Sequence, residues 1–189
     1  TGYGLAGALN VSTTNGNFND FAGAGGNDTI IGNGNTRLNY QIALASVSVD
    51  LQTSAGTAIT VAGSATGATE GTDTFTGVNA VQGSMFGDTL LGSSFNNTFT
   101  GLGGDDFIDG RGGFDTASYN SLSTVTGRVT VNMAAGTVTG DASIGTDTLR
   151  NIEGVQGTML ADTFDATGYG LAGALNVSTS NGDFNQFQG

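Results

Sequence analysis

The sequence predicts an all-β, parallel solenoid, and three observations predict it. Four nine-residue units run head to tail from Gly83 to Ser118, each with Gly first, Asp or Asn sixth and an apolar residue eighth. Glycine fills 34 of 189 positions, well above the usual share of about 7%, and it recurs in register with the repeat. Val47-Ser-Val49-Asp-Leu51 and Val129-Thr-Val131-Asn-Met133 alternate apolar and polar residues, the pattern of a half-buried strand. A glycine-rich turn followed by one inward side chain winds a chain into flat β coils. A β-sandwich also tolerates alternation and frequent Gly, but it has no need for a fixed nine-residue step.

The units read Gly83-Ser-Met-Phe-Gly-Asp88-Thr-Leu90-Leu, Gly92-Ser-Ser-Phe-Asn-Asn97-Thr-Phe99-Thr, Gly101-Leu-Gly-Gly104-Asp-Asp106-Phe-Ile108-Asp and Gly110-Arg-Gly-Gly113-Phe-Asp115-Thr-Ala117-Ser. Ile30, Leu90, Phe99, Ile108 and Phe164 are expected in the core. Tyr40 and Tyr119 hold matching places in two halves of the chain and read as packing residues. Nothing sustains a helical period; the best candidate, Leu5 to Val11, is broken by Gly7.

Repetition also sets the domain organisation. Thr1 to Thr13 returns unchanged as Thr167 to Thr179, and 19 of the first 23 positions match at a spacing of 166. The chain thus reads as one full period of a tandem array plus the start of the next. Residues 1–22 end a preceding array period, 23–98 and 99–166 form two half-repeats, and 167–189 open the next period. The halves share Gly71-Thr-Asp73-Thr-Phe75 with Gly145-Thr-Asp147-Thr-Leu149, and Val81-Gln-Gly83 with Val155-Gln-Gly157.

Composition narrows the function. Sixteen acids oppose four arginines for a net charge of −12, and Lys, His, Cys and Pro are absent. Acid held in turns repels itself unless a cation sits between the turns, and it makes nucleic acid and membrane insertion poor expectations. Without His, Cys or Lys there is no His-based triad, thiol nucleophile or Schiff base. An enzyme is not expected. Array proteins gain length by repetition, which suits a structural or adhesive role.

With two nonapeptides per coil, turns 18 residues apart stack on one edge. Asp88 then lies beside Asp106, and Asn97 beside Asp115, about 4.8 Å away. Glycine carbonyls beside such carboxylates can complete the six to eight oxygens that calcium takes. The candidate metal residues are Gly26, Asp28, Asp88, Asn97, Gly101, Gly103, Gly104, Asp106, Gly110, Gly112, Gly113, Asp115 and Asp162. Asp73 and Asp147 read as caps or ligands alike, and Asp105 and Asp109 as solvated. Phe86 and Phe95 replace the central glycine of their units, and Asn97 is a neutral ligand, so calcium sites there are expected to be incomplete or absent.

Gly101 to Ser118 resembles two tandem copies of Gly-Gly-x-Gly-x-Asp-x-U-x, the calcium-binding nonapeptide of repeats-in-toxin (RTX) proteins. Gly23-Ala-Gly-Gly26-Asn-Asp28-Thr-Ile30-Ile resembles a third. The resemblance implies a right-handed parallel β-roll, calcium as cofactor, type I export and a bacterial extracellular or cell-surface location. The expectation is a structural calcium-binding module in a stiff rod, a fibre or a biofilm matrix, with about nine coils and ~45 Å of length per period. Its partners are neighbouring repeats of the same chain, or copies stacked end to end. Two rivals stand beside it: an adhesion or glycan-binding module reading through Thr1–Asn19 or Thr53–Glu70, and the C-terminal secretion module of an exported enzyme or toxin.

Overall fold

The computed structural model describes residues 18–52, 62–68, 70–120, 125–178 and 185–188. Among them every regular element is a strand. The chain begins with β1 (Asn19–Phe21), β2 (Thr29–Ile31) and β3 (Thr36–Asn39). A meander follows as β4 (Val47–Asp50), β5 (Ala62–Gly67) and β6 (Gly71–Thr76). The winding resumes through β7 (Ala80–Gln82), β8 (Thr89–Leu91), β9 (Thr98–Thr100), β10 (Phe107–Asp109) and β11 (Thr116–Ser118). A second meander, β12 (Thr130–Asn132), β13 (Thr137–Thr139) and β14 (Thr146–Arg150), leads to β15 (Gly154–Gln156), β16 (Thr163–Asp165) and β17 (Gln186–Gln188).

Two sheets result. The first is wholly parallel, in the order β1-β3-β7-β9-β11-β15-β17. The second has ten strands, in the order β16-β12-β13-β14-β10-β8-β4-β5-β6-β2. The nonapeptides alternate between the sheets, so residues 18 apart stack as the spacing predicts: Leu90 pairs Ile108, and Phe99 pairs Ala117. The all-β roll of short parallel strands is therefore the fold.

One apolar residue per short strand builds the core. Val49, Leu90, Ile108 and Leu149 line up in the second sheet, and Leu38, Val81, Phe99, Ala117 and Val155 in the first. All nine are buried and belong to one contiguous cluster. Each fully buried Leu, Ile, Val or Phe contributes roughly 1.5–3 kcal/mol, so stability accrues coil by coil. Ile30 and Phe164, near the two ends, pack against that core while partly exposed.

Two details depart from the sequence expectation. First, β5 and β13 run antiparallel to both their neighbours. The alternating segments at 47 and 129 do form half-buried strands, but each opens a three-strand meander instead of a simple coil. Second, the period winds fewer times than expected. From β1 to β17 the first sheet takes six steps, because the meanders stretch the coils from Leu38 to Val81 and from Ala117 to Val155. Six spacings along that sheet make about 29 Å per period, in place of nine coils and ~45 Å. Segment 1–17 and most of 53–70, where adhesive loops were expected, lie outside the described residues.

Candidate metal centre

The residues sixth in each unit sit at the coil corners, and most are buried: Asp88, Asn97, Asp106 and Asp115 have at most 3% of their surface exposed. Each reaches across to a neighbouring coil. Asp106 Oδ1 accepts from the Asp88 amide at 2.7 Å, Asp88 Oδ1 from Val47 at 2.8 Å, and Asp147 Oδ1 from Asp106 at 3.0 Å. On the other edge, Asp115 Oδ1 accepts from Asn97 at 2.7 Å and Glu153 Oε2 from Asp115 at 2.8 Å. The same step recurs from Asp28 to Asp73, from Thr36 to Asn79 and from Val129 to Asp162. Two columns of side-chain acceptors thus run along the roll and satisfy corner amides that the strand ladders leave over.

The second oxygen of each carboxylate divides the turns into two kinds. In Gly83–Asp88, Oδ2 of Asp88 accepts from the Ser84 amide at 2.6 Å, and the Ser84 hydroxyl donates to Oδ1 at 2.8 Å. Asn97 is held alike by the amide and hydroxyl of Ser93, at 2.7 and 3.1 Å. Asp162 is held by those of Thr158, at 2.7 and 2.9 Å. These turns close on themselves. The residue second in the unit is Ser or Thr, and the fourth is Phe86, Phe95 or Leu160.

The other three turns stay open. Oδ2 of Asp28, Asp106 and Asp115 is buried, with no hydrogen-bond partner. Their second residues, Ala24, Leu102 and Arg111, adopt φ of 61°, 79° and 66°, and their fourth, Gly26, Gly104 and Gly113, adopt 116°, 101° and 111°. The double left-handed turn replaces the Ser/Thr cap, so nothing among the described residues satisfies that oxygen. Gly101 and Gly110 lie directly under these carboxylates, where a Cβ would overlap Oδ2. Gly103 and Gly112 donate to the carbonyls of Ser84 and Ser93 in the coil beside them.

Burial raises several of the buried carboxyls. Burial, reinforced by the charge of Asp147, pushes the Asp106 carboxyl up to about 9. Burial pushes Asp115 up to about 8, with the amide of Asn97 opposing and Glu153 adding to the rise. Asp147 rises to about 7 for the same first reason. Asp88 also rises through burial, against three hydrogen bonds from Ser84 and Val47 that favour its charge. An ionised carboxylate in such a place calls for a cation.

The donor set fits a hard cation held largely by backbone. Among the described residues, no three carboxylates converge, so a cation at an open turn would have the orphaned carboxylate oxygen there and would draw its remaining donors from the backbone. Oxygen donors of this sort suit calcium. Asp105 and Asp109, expected as solvated, both tie to the coil beside them: exposed Asp105 accepts from the Thr146 amide, and half-buried Asp109 from Asn151 Nδ2 as well as from the nearby Arg111 amide. Glu153, Asn79 and Asn176 were missed as column members. The motif alignment Asn79-Ala-Val-Gln against Glu153-Gly-Val-Gln held the signal for the first two.

Comparison with known proteins agrees over the regular stretch. Residues 82–117 match the family model of the RTX calcium-binding nonapeptide repeat in four copies. No curated protein matches the chain. The matched stretch contains two closed and two open turns, and the third open turn, at Gly23–Asp28, lies outside it. The chain therefore carries RTX calcium-binding nonapeptide repeats wound into a β-roll, and it is a calcium-binding repeat module.

Proposed function

We propose that this module is a non-catalytic length of an extracellular rod or fibre on a bacterial surface or in a biofilm matrix, stiffened by calcium at its three open turns. The observation that carries the reading is the set of three orphaned oxygens, all on Asp residues of glycine-complete units. Asp28, Asp106 and Asp115 would hold the ion, with carbonyls of Gly26, Gly101, Gly103, Gly104, Gly110, Gly112 and Gly113 as further donors. Bound there, calcium supplies positive charge and oxygen coordination to carboxylates that burial otherwise penalises. Binding to the folded chain alone adds about 2.7 kcal/mol per site at a hundredfold excess over Kd. Asp88, Asn97 and Asp162, closed by Ser or Thr, take no ion in this reading.

Far-UV circular dichroism and thermal melts in EGTA, followed by a calcium titration with calorimetry, test it. The expected result is a fold strengthened by calcium, with three ions per chain. A heat-stable fold indifferent to EGTA, with no heat of binding, would overturn the reading. A glycan-binding role has one observation in its favour. An open cleft of about 500 Å³ beside the 53–70 segment carries the hydroxyl residues Ser46, Ser48, Thr66, Thr72 and Thr89. Glycan-array signal from the isolated chain would move that role ahead.

A further inference from the structure

The two end strands of the first sheet hold equivalent places in the 166-residue repeat. At the 166-residue spacing β17 (Gln186–Gln188) corresponds to Asp20–Ala22, one residue on from the bounds of β1 (Asn19–Phe21), and Phe187 is the repeat of Phe21. The structure therefore contains the start of a second period already seated on the first. There β17 pairs with β15, with Gln186, Phe187 and Gln188 opposite Gly154, Val155 and Gln156. Phe187 also packs on Phe164, with ring centroids 4.9 Å apart.

The segment leading to β17 grips the same coil. Both amide atoms of Asn176 bond the main chain of Ile152, each at 2.9 Å, and Asn176 is fully buried. The Tyr169 ring is buried, and its hydroxyl donates to the Ile152 carbonyl at 3.4 Å. Tyr169 and Asn176 both fall in the stretch repeated without change from Thr1 to Thr13.

The period contains its own precedent for such a junction. β9 sits between β7 and β11, and its Phe99 is fully buried. Phe21 holds the matching place in the half-repeat, yet β1 is an end strand and Phe21 is 40% exposed. A parallel strand laid on the outer side of β1 would bury it as Phe99 is buried.

We infer that β1 docks on β15 of the preceding copy of this period, with Asp20, Phe21 and Ala22 opposite Gly154, Val155 and Gln156. Successive periods then form one uninterrupted sheet, and the array is a continuous roll in place of beads on a linker. The occupant of the exposed β1 edge is β15 of a second copy of this period, used there as β17 uses this chain's own β15. The facing residues Gly154, Val155 and Gln156 are uncharged, so Asp20 meets no like charge there. This deepens the rod reading and rests on strand pairing; because the open turn Gly23–Asp28 follows β1 directly, the cross-linking is run both with calcium and in EGTA.

The chain has no cysteine, which makes cross-linking selective. One full-length chain would carry Ala22→Cys. The other would carry Gln156→Cys together with Phe187→Asp, to loosen its own β17. A short bifunctional thiol reagent should give a mixed dimer, reduced at least tenfold when Phe21→Asp is added to the first chain. A single chain with Gln156→Cys and Gln188→Cys should cross-link internally and act as the positive control. If Phe187→Asp fails to fold, Asn176→Ala loosens the tail instead. Internal cross-linking without any mixed dimer, for both loosened variants, would overturn the inference. Calcium-dependent folding measured on the same samples reports on the rod reading separately, so the two can fail independently.

Discussion

The Tyr119 hydroxyl donates to Oδ2 of Asp147 across 2.8 Å, deep in the roll, and Tyr40 does the same to Asp73 across 2.9 Å. Both pairs join a strand of the first sheet to the meander that follows it. Both carboxylates use their other oxygen on a neighbouring coil, Asp147 on the Asp106 amide and Asp73 on that of Asp28. The two halves of the period thus share a polar tie as well as a topology. The tyrosines are packing residues, as their matching places suggest, but their hydroxyls also hold the meanders in register.

Removing one hydroxyl tests that tie. Tyr119→Phe leaves Oδ2 of the fully buried Asp147 without its donor, so stability should fall by about 1–3 kcal/mol. Urea denaturation at fixed calcium measures it. No change in midpoint would show that the tie is dispensable.

The pH dependence without calcium follows from the raised carboxyls. Asp147, Asp115 and Asp106 titrate near 7, 8 and 9 in the folded chain, but near 4 when unfolded. Between those limits the folded state binds more protons, so stability falls as pH rises. Melting temperatures in EGTA should drop steadily from pH 5 to pH 9. Saturating calcium, which competes with the proton at Asp106 and Asp115, should flatten that drop. A melting temperature in EGTA that climbs with pH would contradict the burial of these groups.

Opening a closed turn should create a site. Ser84→Leu with Met85→Gly and Phe86→Gly gives the unit at Gly83 the Gly-x-Gly-Gly of its open neighbours and removes the hydroxyl cap on Asp88. One more calcium ion per chain and a lower melting temperature in EGTA are expected. Ser84→Ala alone removes the hydroxyl's bonds to Asp88 and to the Phe86 main chain and should cost about 1–2 kcal/mol, with calcium stoichiometry unchanged. Calorimetric counts separate the two variants.

Two glycines with like backbone angles should respond differently to a methyl group. Gly104 has φ 101°, and its Cβ would overlap the backbone of Phe86 and Gly87 in the adjacent coil. Gly26 has φ 116°, but its Cβ would meet nothing within 4 Å. Gly26→Ala should cost only the left-handed strain of about 1–2 kcal/mol, whereas Gly104→Ala adds a clash between coils and should exceed ~3 kcal/mol. Equal losses in thermal melts would mean that the coils can move apart at Gly104.

Much of the fold could be read from residues at regular spacing. The 18-residue step placed Leu90 on Ile108 and Phe99 on Ala117, because each nonapeptide supplies one turn and one strand. The same step placed Asp88 beside Asp106. What spacing could not give was any pairing that crosses a meander. Asp147 bonds Asp106 from 41 residues away, and Glu153 bonds Asp115 from 38. Those separations depend on how β12 to β14 fold back, which no period in the sequence announces.

The sequence by itself determined an all-β roll, the glycine-complete units at 23–31, 101–109 and 110–118, and their likeness to calcium-binding repeats. Each of these rests on local chemistry: where glycine permits a left-handed turn, and where one apolar residue must point inward. Only the tertiary structure decided which carboxylates keep an unsatisfied oxygen. That depends on whether a Ser or Thr amide and hydroxyl close over the carboxylate, and on how deeply the neighbouring coils bury it. It also decided that the period makes six coils and that β17 sits on β15, since both depend on contacts between distant residues.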